Sequence, residues 1–381
     1  MSHKLCMIPG PIEFDPLVLS AMSTPATSHV DPSFISTFGE SLELMRKVFL
    51  APSAQPFVLS GSGTLTWDMT ASNLVEPGES VLVITTGVFG DWFAECFKVY
   101  GANVVQLVSD FGSVPSLAEI EEALKREKFK LVSLTHVDTS TGVLLDIKSV
   151  SDLIKKVSPE SLISVDGVCS VGGEVVKQEE WGIDVVMTAS QKAIGVPPGL
   201  ALMMVSQRAL SVYQNRSAPP TTYFGSFGKW KNIMDKYEAR QPSYFATPPV
   251  QLIMALNVSL KQLLTQGMMQ RFEKHILVSN MVKDKLESWG LKLVPSSRTV
   301  AANTLTAVYY PDGIVPGDFL KKVSERGIVL AGGLHPQHNT KYFRVGHMHR
   351  SVTDVKENHI QKTLDAIQGA LVELGYKISK L

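Results

Sequence analysis

Asp166 closes the apolar run Leu162-Ile163-Ser164-Val165, and about one supersecondary unit later Thr188-Ala189-Ser190-Gln191-Lys192 leads from a strand-like stretch through a polar turn onto a lysine. Those residue types in that order suit one chemistry. A lysine amine condenses with an aldehyde to form a Schiff base, and an aspartate below a pyridine ring keeps the ring nitrogen protonated, so that the ring acts as an electron sink. The pair therefore points to pyridoxal 5'-phosphate. A reactive amine must be partly neutral, which an apolar setting and an adjacent cation bring about, and Ile194, Val196 and Pro197 offer the apolar setting. Taken singly, Lys192 also reads as a solvated turn lysine and Asp166 as a capping residue after a strand.

Ser60-Gly61-Ser62-Gly63-Thr64 precedes a helical pattern, where small residues let backbone amides and hydroxyls approach an anion at a helix start. A phosphate and a plain Gly-rich turn with a Ser or Thr cap are equally good readings of this motif alone. It is not a dinucleotide fingerprint, because Gly61-Ser62-Gly63 is followed by Thr64-Leu65-Thr66 without the third glycine. Arg344, in the apolar strand-like Tyr342-Phe343-Arg344-Val345, can grip a carboxylate through two parallel hydrogen bonds. A structural arginine paired with an acidic neighbour is the plainer alternative.

These residues need a scaffold. From about Pro56 to Ser206, short near-continuous apolar runs alternate with helical patterns at Thr64 to Leu74, Gly90 to Tyr100, Ser116 to Lys125 and Ile147 to Val157. That rhythm predicts an α/β fold, with a large domain built on a mostly parallel sheet flanked by helices. Ligands in such sheets gather at the carboxyl ends of strands, where the Ser60, Asp166 and Ser190 turns would converge. Residues 207 to 249, rich in Tyr, Phe, Gly and Pro, read as a long irregular connection, and a smaller α+β domain follows. The expected divisions are an amino-terminal segment at 1–15, the large domain at 16–249 and the small one at 250–381.

Composition narrows the partners. The 381 residues are 44% hydrophobic, enough for a large core, and 36 Lys and Arg balance 36 Asp and Glu, which removes the basic excess expected of a nucleic-acid or anionic-membrane surface. Small molecules and other copies of the chain are better candidates. Cys6, Cys96 and Cys169 have no metal-ligand spacing and suit a reducing compartment. No apolar run is long enough for a membrane span, and no signal peptide is legible. The sequence closes on Ser379-Lys380-Leu381, the tripeptide that peroxisomal import receptors read at a free carboxyl terminus.

Asp166, Ser190-Gln191-Lys192, Pro9-Gly10-Pro11, the Ser60 to Thr64 turn, Thr139-Ser140-Thr141-Gly142 and Arg344 fall in the order found in class V aminotransferases of pyridoxal-phosphate fold type I, and from about Ile8 to Ile367 the chain resembles that family. The resemblance implies that Lys192 binds the cofactor and Asp166 partners its ring nitrogen. It implies that Ser62, Gly63 and Thr64 hold the phosphate, with Thr64 where animal relatives have histidine. Phe89 would stack on the ring where those relatives have tryptophan, Gln191 would lie on the phosphate side, and Ser140 would set a hydroxyl beside the ring. Tyr244 and Thr247 would cross a homodimer interface to the partner's phosphate. Arg344 and the Gly10 amide would take the substrate carboxylate.

The activity implied is transfer of the amino group of L-alanine to glyoxylate, giving pyruvate and glycine, with Lys192 as general base on the Cα proton. Serine with pyruvate or with glyoxylate is the nearest alternative pair. Outside this class, a dinucleotide-dependent oxidoreductase is the general α/β reading. A cysteine desulfurase would need a cysteine before the clamp arginine, and Arg326 to Phe343 contains none.

Overall fold

Seven strands form the central sheet, and their sequence explains why they are interior: in five of them every residue from end to end is apolar or hydroxyl-bearing, apart from a closing Asp166. The structure, a computed structural model, describes residues 3–378. Across the sheet the order is Gln55–Ser60, Leu200–Val205, Val185–Ala189, Leu162–Asp166, Leu131–Thr135, Ser80–Thr85 and Asn103–Val108. The last five run parallel, whereas Leu200–Val205 is antiparallel to both of its neighbours. That reversal has a local cause. The connection Ser190–Gly199 holds no helix and is too short for a crossover, so the chain turns straight back, and Lys192 rides on that turn.

Helices Thr64–Leu74, Val88–Val99, Leu117–Arg126 and Ile147–Val157 supply the crossovers. Before the sheet, Asp15 and Asp31 each cap a helix whose first residue is proline, at Pro16–Met22 and Pro32–Val48. The stretch 207–249 differs from the expected irregular connection. It contains helices Gln207–Gln214 and Phe227–Glu238. Its aromatics are a helical stripe rather than loop contacts, since Phe227, Trp230, Met234 and Tyr237 are all buried, with Phe227 stacked on Phe57 at 5.0 Å.

The expected domain division at 249 is also displaced. Helix Val250–Leu264 buries Ile253, Leu256 and Leu260 in the same core as Phe34, Phe38 and the central sheet. The changeover falls inside the next helix, Met268–Ser288: Met268 and Phe272 belong to the first core, while Val282 and Leu286 belong to a second with Phe319 and Phe343. This second core lies under a three-stranded antiparallel sheet of Leu305–Tyr309, Tyr342–Gly346 and Ala331–Gly332, with Tyr342–Gly346 in the middle. The amino-terminal segment joins it. Leu5–Cys6 pairs in parallel with Ile328–Val329, Met7 is buried there, and the Gly346 amide donates to the Met7 carbonyl, which carries Pro9 and Gly10 up to Lys192. Among the described residues no helix is long and apolar enough to cross a membrane.

Candidate active site

At the carboxyl ends of the parallel strands lies a cavity of about 480 Å³, within the usual size of roughly 300–1,000 Å³ for small-molecule sites. Ser62, Gly63, Thr64, Phe89, Asp166, Gln191 and Lys192 all line it. Asp166 is the last residue of its strand, flanked by Thr135 and Met187. Its Oδ2 accepts from Trp67 Nε1 and its Oδ1 from the Val168 amide, both at 2.9 Å. Burial pushes its pKa up to about 6, because the loss of water outweighs the two donors and the Lys192 charge that pull it down. A protonated ring nitrogen is the partner this carboxylate lacks.

Lys192 is buried, and its Nζ donates to the Pro9 carbonyl at 2.5 Å. Ile194 and Val196 behind it are fully buried, as the sequence predicts for its setting. Burial lowers the lysine pKa and the Arg344 guanidinium lowers it further, which favours the neutral amine needed for chemistry. The turn itself is fixed by Ser190, whose hydroxyl donates to the Pro197 carbonyl and accepts from the Leu200 amide. Gly10 closes the other side. Its φ is +117°, and a Cβ there would come within 2.7 Å of Lys192 Nζ, so only glycine leaves the lysine room.

The phosphate end is equally specific. Helix Thr64–Leu74 begins at Gly63 with no side-chain cap, so the Ser or Thr cap open to the sequence is not used and the helix start faces the cavity. Gln191 Oε1 is buried without a hydrogen-bond partner, and its amide can turn either end toward a ligand. Phe89 stands edge-on to Trp67 at 6.5 Å and to Trp92 at 5.4 Å, on the cavity wall. A basic lysine, an acid awaiting a cation, an uncapped helix start and an unsatisfied amide around one space fit pyridoxal phosphate.

Ser140 departs from the expected place beside the ring. Its hydroxyl donates to Asp138 Oδ1 at 2.5 Å and accepts from the Val88 amide at 3.1 Å, while Thr139 lines the cavity in its stead. Asp138 Oδ2 accepts from the Phe89 amide at 3.1 Å. The two side chains thus fasten the start of helix Val88–Val99 and hold Phe89 in place, and Gly87 makes this possible because a Cβ there would lie 2.5 Å from the Asp138 carboxylate and Ser140 Oγ.

Arg344 lies on the central strand of the small sheet, opposite Ala307 and Ala331, whose size leaves space for its guanidinium. Nε donates to the Gly332 carbonyl at 2.8 Å and Nη1 to the Thr139 carbonyl at 3.0 Å; among the described residues no carboxylate pairs with it, and the Nη1–Nη2 edge retains donors for a bidentate contact. Thr139, a cavity residue, is its link to the site. Tyr244 and Thr247 lie apart from this cavity; Tyr244 is 62% exposed, and its hydroxyl is 3.4 Å from Thr247 Oγ1. Trp67 and Cys169 line the cavity without having been singled out from sequence, although each falls three residues after a predicted site residue, Thr64 and Asp166.

Residues 19–352 match the family Aminotransferase class-V. The chain is a class V aminotransferase. Alanine–glyoxylate aminotransferase 1 of Saccharomyces cerevisiae is 43% identical over 378 residues, covering 96% of this chain and 97% of that one. Serine–glyoxylate aminotransferase of Methylorubrum extorquens is 29% identical over 98% of this chain and 92% of its own. Among solved structures, an alanine–glyoxylate aminotransferase from Nostoc sp. superposes with a TM-score of 0.89 at 29% identity, covering 97% and 96% of the two chains. This aminotransferase uses pyridoxal phosphate on the fold-type-I scaffold.

When bound, pyridoxal phosphate supplies the carbonyl that takes up an amino group and the ring that spreads the charge left when Cα loses its proton. The chain's residues supply the rest. Asp166 would hold the ring nitrogen, the start of helix Thr64–Leu74 with Gln191 the phosphate, and Phe89 a ring face. Lys192, buried and inclined to the neutral form, can accept the Cα proton at Nζ and return it elsewhere. Arg344 would orient the substrate carboxylate, and the surrounding apolar walls would keep water from competing for the proton.

Proposed function

We propose that the enzyme transfers the amino group of L-alanine to glyoxylate, with Lys192 as base, Asp166 as ring-nitrogen partner and Arg344 as carboxylate clamp. The observation that carries the choice is the charge of the cavity wall. Lys192 is the single cation among its described lining residues, and Asp68 and Glu95 are its outer acids. A donor with a second carboxylate would meet those acids without a counter-charge, whereas alanine presents only a methyl group. The 43% identity to the yeast alanine–glyoxylate enzyme supports the same pair.

Serine remains the second donor, favoured by the likeness to the Methylorubrum serine–glyoxylate enzyme and by a wall polar enough, through Thr64 and Thr139, to bind a hydroxyl. Steady-state kcat/KM with glyoxylate as acceptor separates the cases. Alanine should exceed aspartate by about 100-fold, the equivalent of ~3 kcal/mol for an unpaired charge. Serine above alanine would transfer the assignment to serine, and aspartate above both would defeat it.

The working unit in this reading is a homodimer, with the exposed Tyr244 and Thr247 reaching the partner's phosphate. Mixing Lys192→Ala chains with Tyr244→Ala chains would then yield one wild-type site per mixed dimer and a gain in activity; a tyrosine acting within its own chain gives no gain. Ser379, Lys380 and Leu381 lie outside the described residues. Their sequence supports recognition by a peroxisomal import receptor and hence a peroxisomal location. A fluorescent amino-terminal fusion should lose punctate localisation when a tag masks Leu381, and unchanged localisation would count against it.

A further inference from the structure

Behind the lysine turn, on the side away from the active site, lies a second cavity of about 280 Å³ whose wall includes Asp15, Gln262, Arg271, His349, Arg350 and Asp354. Arg271 is buried in helix Met268–Ser288. Its Nε donates to the Gly172 carbonyl at 2.6 Å and its Nη2 to the Ala193 carbonyl at 3.3 Å, next to Lys192, while Nη1 makes no hydrogen bond among the described residues. Burial lowers its pKa, to about 9, and among the described residues no carboxylate pairs with it, so at neutral pH Arg271 is a buried cation without an ion pair of its own.

The same wall offers the opposite chemistry. His275 Nδ1 must donate to the Arg271 carbonyl at 2.8 Å, because its Nε2 accepts from the His349 amide at 3.2 Å. Ser259 gives its hydroxyl proton to the Ile194 carbonyl, so His349 Nε2, 3.3 Å away, donates to Ser259 Oγ. That fixes the tautomer: His349 Nδ1 is a buried acceptor, and it has no partner. Gln262 Oε1 is likewise buried without a partner, whereas Arg350 Nε, though without a hydrogen bond, lies 3.9 Å from Asp354 Oδ2. Buried polar atoms are normally satisfied, and three unspent groups of both polarities, Arg271 Nη1, His349 Nδ1 and Gln262 Oε1, in the walls of one space imply a guest that is both anionic and cationic.

We propose that this cavity is a second binding site, for a small α-amino acid, with the carboxylate on Arg271 and the ammonium group toward His349 Nδ1 and the rim acids Asp15 and Asp354. An inorganic anion would satisfy Arg271 but leave the acceptors empty and face both carboxylates. The site backs onto the Lys192 turn through Ala193 and Ile194 and shares no lining residue with the active-site cavity.

The test is equilibrium dialysis of the holoenzyme with radiolabelled 2-aminoisobutyrate, which lacks a Cα hydrogen and is not consumed by transamination. The visible band of the bound cofactor reports active-site occupancy separately. The expected result is two molecules bound per chain, only one of them followed by the band. Gln262→Phe, which fills the cavity from its half-buried side, should reduce the count to one and leave the band titration unchanged, and Arg271→Gln should do the same. A count of one in the wild type, or an unaltered count in Gln262→Phe, overturns the site. Displacement of the second molecule by inorganic phosphate overturns the amino-acid assignment in favour of a simple anion site.

Discussion

Replacing Asp166 by asparagine should alter the pH dependence of stability in cofactor-free protein by an amount the site itself dictates. The carboxyl is raised from its usual 3.8 to about 6, chiefly by burial, and the group is fully enclosed. At ~1.4 kcal/mol per pH unit this corresponds to about 3 kcal/mol. The sign follows from proton counting. Between pH 3.8 and 6 the folded state holds a proton that the unfolded chain has released, so stability falls as pH rises through that window. Asparagine does not titrate. In urea denaturation of cofactor-stripped protein, the stability of Asp166→Asn relative to wild type should therefore rise by about 2 kcal/mol between pH 4 and pH 7, the remainder of the change lying below pH 4. Asparagine keeps one acceptor oxygen of the two, so either the Val168 amide or the Trp67 indole loses its acceptor, a constant offset that the comparison across pH removes. Restoring pyridoxal phosphate should reverse the order at pH 7, because the protonated ring nitrogen then gives the wild-type carboxylate its partner. A difference that stays flat with pH to within ~1 kcal/mol would refute the electrostatic picture of this site.

Trp67→Phe removes the indole donor to Asp166, and since a hydrogen bond to a charged group contributes about 1.5–3 kcal/mol, the Asp166 transition should move upward by roughly 1–2 pH units in the same urea series. Arg344→Gln should lower kcat/KM for amino donor by about 10²-fold, mainly through KM, as expected for a lost charge-assisted carboxylate contact; an unchanged KM would assign the guanidinium a bracing role through Thr139 and Gly332 only. Gly10→Ala puts a methyl group against Lys192 at a backbone angle of +117°, and should cost about 1–3 kcal/mol in stability while reducing kcat at least ~10-fold; wild-type kinetics would show that the amino-terminal segment does not confine the lysine.

Much of the large domain was legible because its strands are buried on both faces and therefore read as unbroken apolar runs, with polar turns only where they end. Thr64–Leu74 and Ile147–Val157 match their sequence-defined bounds, the second because the Asp146 side chain caps it where the apolar periodicity starts, the first because the Gly-rich turn before it and Val75 after it break the helix. Phe227–Glu238 escaped because a run of Phe, Gly, Trp and Tyr resembles a loop until Phe57 and the neighbouring helix give its aromatic stripe something to cover. The boundary at 249 followed a Pro-Pro pair, but packing on helix Pro32–Val48 keeps the next helix with the large core. In the site, Asp166 and Lys192 were readable as types in order. Thr139 and Ser140 were not separable in sequence, because which of the two faces the cavity depends on the turn that lets Ser140 reach the Val88 amide. The Trp67 contact to Asp166 crosses from a helix to a distant strand, a pairing no local spacing encodes.

The half-reaction is the decisive measurement. Purified holoenzyme mixed with L-alanine alone should lose the visible band of lysine-bound cofactor and release one pyruvate per site, and subsequent glyoxylate should restore the band with formation of glycine. Lys192→Ala should abolish both phases while retaining cofactor binding. A band indifferent to alanine yet responsive to serine would reassign the donor, and turnover that survives Lys192→Ala would contradict the role of Lys192 on which the mechanism rests.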